Sequence, residues 1–107
     1  MDFNNIENET LRQALTALQH KNRHDFESLL APDATLIHNG EPDDIRQWAA
    51  GFFFGDAETR FTAITQTADK GQTIWADLES SIAGKIAVKL IFETDGNKIT
   101  SLNAGRP

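Results

Sequence analysis

The chemistry open to this chain is narrow. Its 107 residues include no cysteine and no tyrosine, but three histidines and sixteen aspartates and glutamates. Without thiols there is no thiolate nucleophile, iron–sulfur cluster, thiolate zinc site or disulfide. Without tyrosine there is no phenol to act as acid or hydrogen-bond donor. Imidazole and carboxylate remain. His38 is the strongest candidate, because a free imidazole titrates near neutrality and can act as base or acid in a sheltered pocket. On an alternating strand it shares a face with Leu36, which points it toward the core. The competing account is a half-buried histidine bonded to a neighbour.

The other ionisable groups have simpler readings. His20 and His24 stand four apart like a metal pair, but Asn22 breaks the helix between them and no third ligand is evident. Solvated helix ends, with no metal, are expected. Asp43-Asp44 reads as a helix start rather than a dyad, since acids suit a first turn. Asp69 and Asp95 are turn residues. Asp77 and Glu79 could pair as carboxylates, although a cross-strand bridge from Asp77 to Lys89 is simpler. Arg60 is the one cation near the expected pocket wall, serving either an anionic ligand or the surface. No cofactor is implied.

Helical signals come first along the chain. Residues 5–20 place Ile6, Leu11, Ala14, Leu15 and Leu18 on one stripe, with Asn4 or Asn5 as cap. A short helix over about 24–30 follows and Pro32 stops it. Leu36–Asn39 reads as a short strand closed by Gly40. Glu41-Pro42-Asp43-Asp44 then starts a third helix that runs to about Phe54, with Gly55 beyond it. Trp48, Phe52 and Phe53 on that helix, with Ile64 and Leu90, are candidates to line a pocket, although aromatics at helical spacing are more often core. Phe52-Phe53-Phe54 cannot all face one side.

From Arg60 onward the pattern is strands: 59–68, 72–81, 85–94 and 97–104, joined by Asp69-Lys70-Gly71, Ile82-Ala83-Gly84 and Asp95-Gly96. A three-residue loop with Gly84 in the left-handed region pairs Ser81 with Lys85, Asp77 with Lys89 and Trp75 with Ile91. One face is then Ile74, Ala76, Leu78, Val88, Leu90 and Phe92. The other carries Trp75 and Ile91, joined by Phe61, Ala63 and Thr65. An apolar outer face of this kind predicts a homodimer through the sheet; an aromatic covered by lysine stems is the alternative. With Phe92 opposite Ile99, Asn103 and Ser101 face inward; a bulge there would swap them.

Length and composition fit one α+β domain over 1–107, three N-terminal helices on a strongly curved antiparallel sheet. A net charge of −6 argues against nucleic acid and anionic membrane surfaces as partners. The longest apolar stretch runs only from Trp48 to Phe54. A bilayer span needs roughly 20 residues, so this one falls far short. The first ten residues hold Asp2, Glu7 and Glu9 and no base, unlike a signal peptide, so a cytoplasmic protein is expected.

The segment His24-Asp25-Phe26-Glu27-Ser28-Leu29-Leu30-Ala31-Pro32-Asp33-Ala34-Thr35-Leu36-Ile37-His38-Asn39-Gly40 resembles the nuclear transport factor 2-like superfamily, especially its SnoaL-like and ketosteroid-isomerase-like members. The ending Phe92-Glu93-Thr94-Asp95-Gly96-Asn97-Lys98-Ile99 looks like that fold's penultimate hairpin. The resemblance implies a cone-shaped, cystatin-like fold with an apolar pocket at its open end, and dimerisation through the sheet. Aligning on Asp33-Ala34-Thr35 puts His38 where steroid isomerases carry their proton-shuttling carboxylate. Their two oxyanion donors fall at about Ala17 and Val88, which cannot donate, so that constellation is broken at two of three points. The expectation is a binder of small hydrophobic or aromatic molecules, with His38 able to serve proton transfer of the isomerase, cyclase or dehydratase type. The alternative is a non-catalytic dimeric interaction or ligand-binding module.

Overall fold

Asn8 opens the first helix, its side-chain oxygen accepting the Leu11 N–H at 3.1 Å. In the computed structural model, which describes residues 2–107, this cap delays α1 to Glu9–Gln19. Neither Asn4 nor Asn5 is the cap, and Phe3 and Ile6 reach the core from the segment before the helix. Leu11, Ala14, Leu15 and Leu18 form its buried stripe, as their spacing predicts. Lys21 ends the run in the left-handed region (φ 61°). Asn22 then caps α2, Arg23–Ser28, by accepting the Asp25 N–H.

The next segment departs most from expectation. Strand β1 spans Leu30–His38, far longer than Leu36–Asn39. Pro32 stops no helix; it lies in β1 where the register shifts between Leu30 and Thr35, an irregularity that accommodates a residue without an N–H. Asn39 (φ 51°) and Gly40 (φ 86°) then make a two-residue turn with both centres left-handed. That is the type I′ geometry of hairpins. The chain reverses into β2, Glu41–Asp43, which pairs antiparallel with β1: His38 faces Glu41 and Leu36 faces Asp43. Helix α3, Ile45–Ala49, starts only after Asp44, whose carboxylate accepts the Arg46 and Gln47 N–H groups.

Strands β3 (Thr59–Ala68), β4 (Thr73–Ser80), β5 (Gly84–Asp95) and β6 (Lys98–Gly105) complete one six-stranded sheet. Its order is β2-β1-β6-β5-β4-β3. The β1–β6 pairing is parallel, so the sheet is mixed rather than wholly antiparallel. Register shifts in the β1–β6, β3–β4 and β5–β6 pairings bend it around the helices. The class is α+β, and the core is the inner sheet face against α1, α2 and the third helix.

Several side-chain assignments change with the register. Ser80 accepts the Ile82 and Ala83 N–H groups, which closes the β4–β5 loop one residue early on each side. Ser80 therefore faces Gly84, Trp75 faces Lys89 and Asp77 faces Ala87. The faces survive because the slip is even. Ile91 lies opposite Thr73, and the expected Asp77–Lys89 bridge does not form. In β3, Ala63 stays on the outer face opposite Asp77, and the shift between Phe61 and Ala63 turns Phe61 inward, opposite Leu78. Phe61 is 1% exposed and belongs to the core, not the outer face. A shift between Glu93 and Thr94 pairs Phe92 with Leu102 instead of Ile99, so Asn103 lies on the outer face.

No described helix is long and apolar enough to cross a membrane.

Candidate functional site

Helix α3 does not end as an α-helix. Its last turn, Ala50–Phe54, widens to π geometry, which is found frequently at functional sites. The widening distributes three consecutive phenylalanines. Phe53 is buried and stacks on Phe61 at 5.6 Å, Phe54 meets Phe26 at 5.8 Å, and Phe52 meets Trp48 at 6.1 Å. Phe52 and Trp48 stay half-buried and form one wall of a cavity of about 710 Å³. The sheet supplies the opposite wall through Phe61, Leu78, Ile86, Val88 and Leu90.

His38 stands at the edge of this cavity. Alternation along β1 buries Leu36 and turns Ile37 outward, so His38 projects inward beside Ala104 of β6. Its ring lies 6.2 Å from Trp48. Nδ1 is 3.9 Å from Asp43 Oδ2, and Asn39 Nδ2 lies 3.4 Å from Nε2. Both neighbours favour one tautomer, with a hydrogen on Nδ1 facing the carboxylate and a lone pair on Nε2 accepting the amide. In that tautomer Nε2 carries the basic lone pair, and the long Asn39 contact must yield for it to take a proton from elsewhere. Both side chains are close to half exposed, 40% for His38 and 47% for Asp43. Solvent therefore screens the pair, and its role is orientation more than stability.

Of the expected pocket residues, Trp48, Phe52, Leu90 and His38 come together around one cavity. Ile64 does not line it and packs against the core. Asn103 is exposed on the outer face and borders a smaller depression of about 620 Å³ with Asn39, Gly40 and Arg106. Arg60 lies away from the cavity, paired with Glu79 at 3.3 Å on the exposed surface. Asp43 is the residue that sequence reasoning missed. The Asn39-Gly40 turn was the available signal, because that dipeptide marks a hairpin and a hairpin returns residue 43 to residue 38. Ala17 is buried and does not line the cavity, while Val88 does.

Trp75 and Ile91 do lie on the outer face, half-buried. Lys89 covers Trp75, its ammonium 5.1 Å from the ring centroid. Ile91, Asn103, Ile37 and Pro42 form a continuous row across β5, β6, β1 and β2.

A second groove of about 730 Å³ runs between the N-terminal segment and α1–α2. Most of its lining, including Asp2, Gln13, His20 and Asp25, is exposed and polar. It lacks the apolar walls of the cavity beside His38. Among the described residues no three metal-ligating side chains cluster, with His20 and His24 both exposed.

One ionisable group is clearly perturbed. Lys21 is exposed along much of its length, but partial desolvation of its ammonium lowers it below the ordinary lysine value, and the Glu58 carboxylate offsets part of that. Lys21 donates to the Thr59 carbonyl and lies 5.9 Å from the Phe53 ring, tying the end of α1 to β3 and the π turn.

No protein-family model and no curated protein sequence matches the chain. Solved structures match along most of its length. A candidate polyketide cyclase from Sinorhizobium meliloti superposes with a TM-score of 0.76 at 14% identity, covering 91% of this chain and 94% of that one. A protein with a ketosteroid isomerase-like fold from Catenulispora acidiphila, in complex with trimethylamine, gives 0.68 at 21% identity, covering 90% and 83%. An NTF2-like protein of unknown function from Cytophaga hutchinsonii gives 0.68 at 12% identity, covering 90% and 85%.

Proposed function

From the nuclear transport factor 2-like fold that these structures share with this chain, we propose a cytoplasmic small-molecule-binding protein whose apolar cavity takes a hydrophobic or aromatic ligand. In this reading His38 moves a proton on that ligand, in a reaction of the isomerase, cyclase or dehydratase type. The observation that carries it is an apolar cavity of about 710 Å³ with one imidazole at its edge. Such a chamber with a convergent titratable group is the usual form of a small-molecule site. Apolar walls supply affinity, and Nε2 of His38 faces the bound molecule as base. Asp43 holds the ring in its working tautomer and stabilises the imidazolium that forms when Nε2 takes the proton. The two positions that carry the oxyanion donors of steroid isomerases hold no donor side chain here. Ala17 and Val88 stand at those positions, so the oxyanion must be met by other groups or by water.

Ligand-induced shifts in melting temperature test this directly. Small apolar and aromatic compounds should raise the melting temperature of the native protein and fail to raise that of Val88→Trp, which fills the cavity. His38→Ala should keep the shift and lose any turnover. Equal shifts in the native protein and Val88→Trp would sink the cavity reading. Binding without turnover in the native protein would reduce it to the non-catalytic ligand-binding module.

The protein acts as a homodimer through the outer sheet face in this proposal. Trp75 and the row of Ile91, Ile37 and Pro42 supply the apolar surface that supports it.

A further inference from the structure

A polar depression adjoins the cavity and shares Asn39, Ala104, Gly105 and Arg106 with it. The chain has five arginines. Arg23 and Arg60 pair with glutamates, and Arg12 and Arg46 donate to the Ile6 and Ala31 carbonyls. Only Arg106 has no hydrogen-bond or ion-pair partner among the described residues. It borders both the apolar cavity and the depression of about 620 Å³ beyond it, where Asn39 and Asn103 supply amides and no acidic side chain contributes. Arg106 is exposed, and its guanidinium is free to meet an anion at the cavity rim.

We propose that the site takes an amphipathic carboxylate: a hydrocarbon or aromatic body among Trp48, Phe52, Ile86 and Leu90, with its carboxylate on the Arg106 guanidinium. This rests on the cavity reading above and names its substrate class. A planar guanidinium offers paired N–H donors that match two carboxylate oxygens, a stronger and more directional contact than a neutral hydrogen bond. The Asn39 amide, which borders both the cavity and the depression, can donate to an oxygen lone pair that the guanidinium leaves open. Asn39 also touches His38, so the head group and the proton-transfer atom share one neighbour. A ligand with its head group at this rim leaves its adjoining carbons next to Nε2.

Calorimetric titration with 3-phenylpropionate and the neutral 3-phenylpropionamide separates this inference from the cavity reading. The acid should bind the native protein about tenfold more tightly than the amide, and this preference should vanish in Arg106→Gln with amide affinity unchanged. Arg106→Lys should retain part of the preference, since a lysine keeps the charge and loses the fork. Acid and amide binding the native protein equally, or a preference that survives in Arg106→Gln, would overturn the proposal and leave the cavity reading intact. Failure of both compounds to bind the native protein would overturn both.

Discussion

His38 Nδ1 and Asp43 Oδ2 lie 3.9 Å apart across the β1–β2 hairpin, beyond hydrogen-bond distance yet near enough for the carboxylate to bias the ring toward an Nδ1 proton. The two residues are diagonal neighbours on one face of the pair, the arrangement that brings side chains of this length into range. Neutral His38 should therefore carry its proton on Nδ1. Nitrogen-15 chemical shifts of the ring would register that tautomer, and Asp43→Asn should shift population toward the Nε2-protonated form. A native ring already protonated on Nε2 would remove His38 as a base toward the cavity.

The hairpin itself rests on Gly40. At φ +86° it has nothing within 4 Å of an added Cβ. Gly40→Ala should therefore cost backbone strain alone, about 1–2 kcal/mol. Gly51, in the π turn with ordinary φ and the same open space, should behave oppositely. Gly51→Ala should stabilise by about 0.5–1 kcal/mol because it restricts the unfolded chain. Denaturant titration of both variants checks the contrast, and equal signs would refute it.

Gln19 shields an exposed sheet edge. Its side chain accepts the Phe61 N–H at 2.8 Å and donates to the Phe61 carbonyl at 3.1 Å. The amide thus imitates a neighbouring strand beside β3 and covers part of its edge. Gln19→Leu leaves both backbone groups without partners and should cost about 1–3 kcal/mol in unfolding free energy. A loss below about 0.5 kcal/mol, the low end for a single net hydrogen bond, would mean that water replaces the amide at no cost.

Lys21 gives a pH dependence whose sign can be worked out. Its folded-state value lies below 10.5. Between that lowered value and 10.5 the unfolded chain binds more protons than the folded one. Stability contributed by this group therefore rises with pH through that window and is at its lowest below it. Relative to Lys21→Met, the native protein should gain stability as the pH is raised from neutral toward 10.5, measured by urea unfolding. A relative loss would mean that the Glu58 attraction outweighs burial.

Light scattering tests the outer face. The native protein should have the mass of a dimer, and Trp75→Glu should reduce it to that of a monomer. A monomeric native mass, unchanged by Trp75→Glu, would refute the proposed interface.

Periodicity made much of this legible. Leu36 and His38 alternate, which was enough to turn the imidazole inward, and the helical spacing of Trp48 and Phe52 set them on one wall. The β4–β5 faces were also readable, because an error of two in register leaves every side chain on its own side. Phe61 and Asn103 were misplaced for the opposite reason: each lies beyond a bulge, and one extra residue reverses the faces after it. Bulges answer to the curvature of the whole sheet and leave little mark on local composition. Asp43 was lost to a conflict between signals, in which the Pro-acid pattern of a helix start concealed the stronger Asn-Gly turn.

The parallel pairing of β1 with β6 has a consequence in time. His38 is positioned beside Ala104, a partner far away along the chain, whereas β3, β4 and β5 join through short loops. Local hairpins close at little entropic cost, and a distant pairing must await them. The His38–Asp43 hairpin can fold early as a local unit, but it reaches its place at the cavity edge only when β6 closes the sheet. Partly folded chains with most of their secondary structure would have the imidazole and lack its site, so ligand binding at this cavity would report the last step of folding.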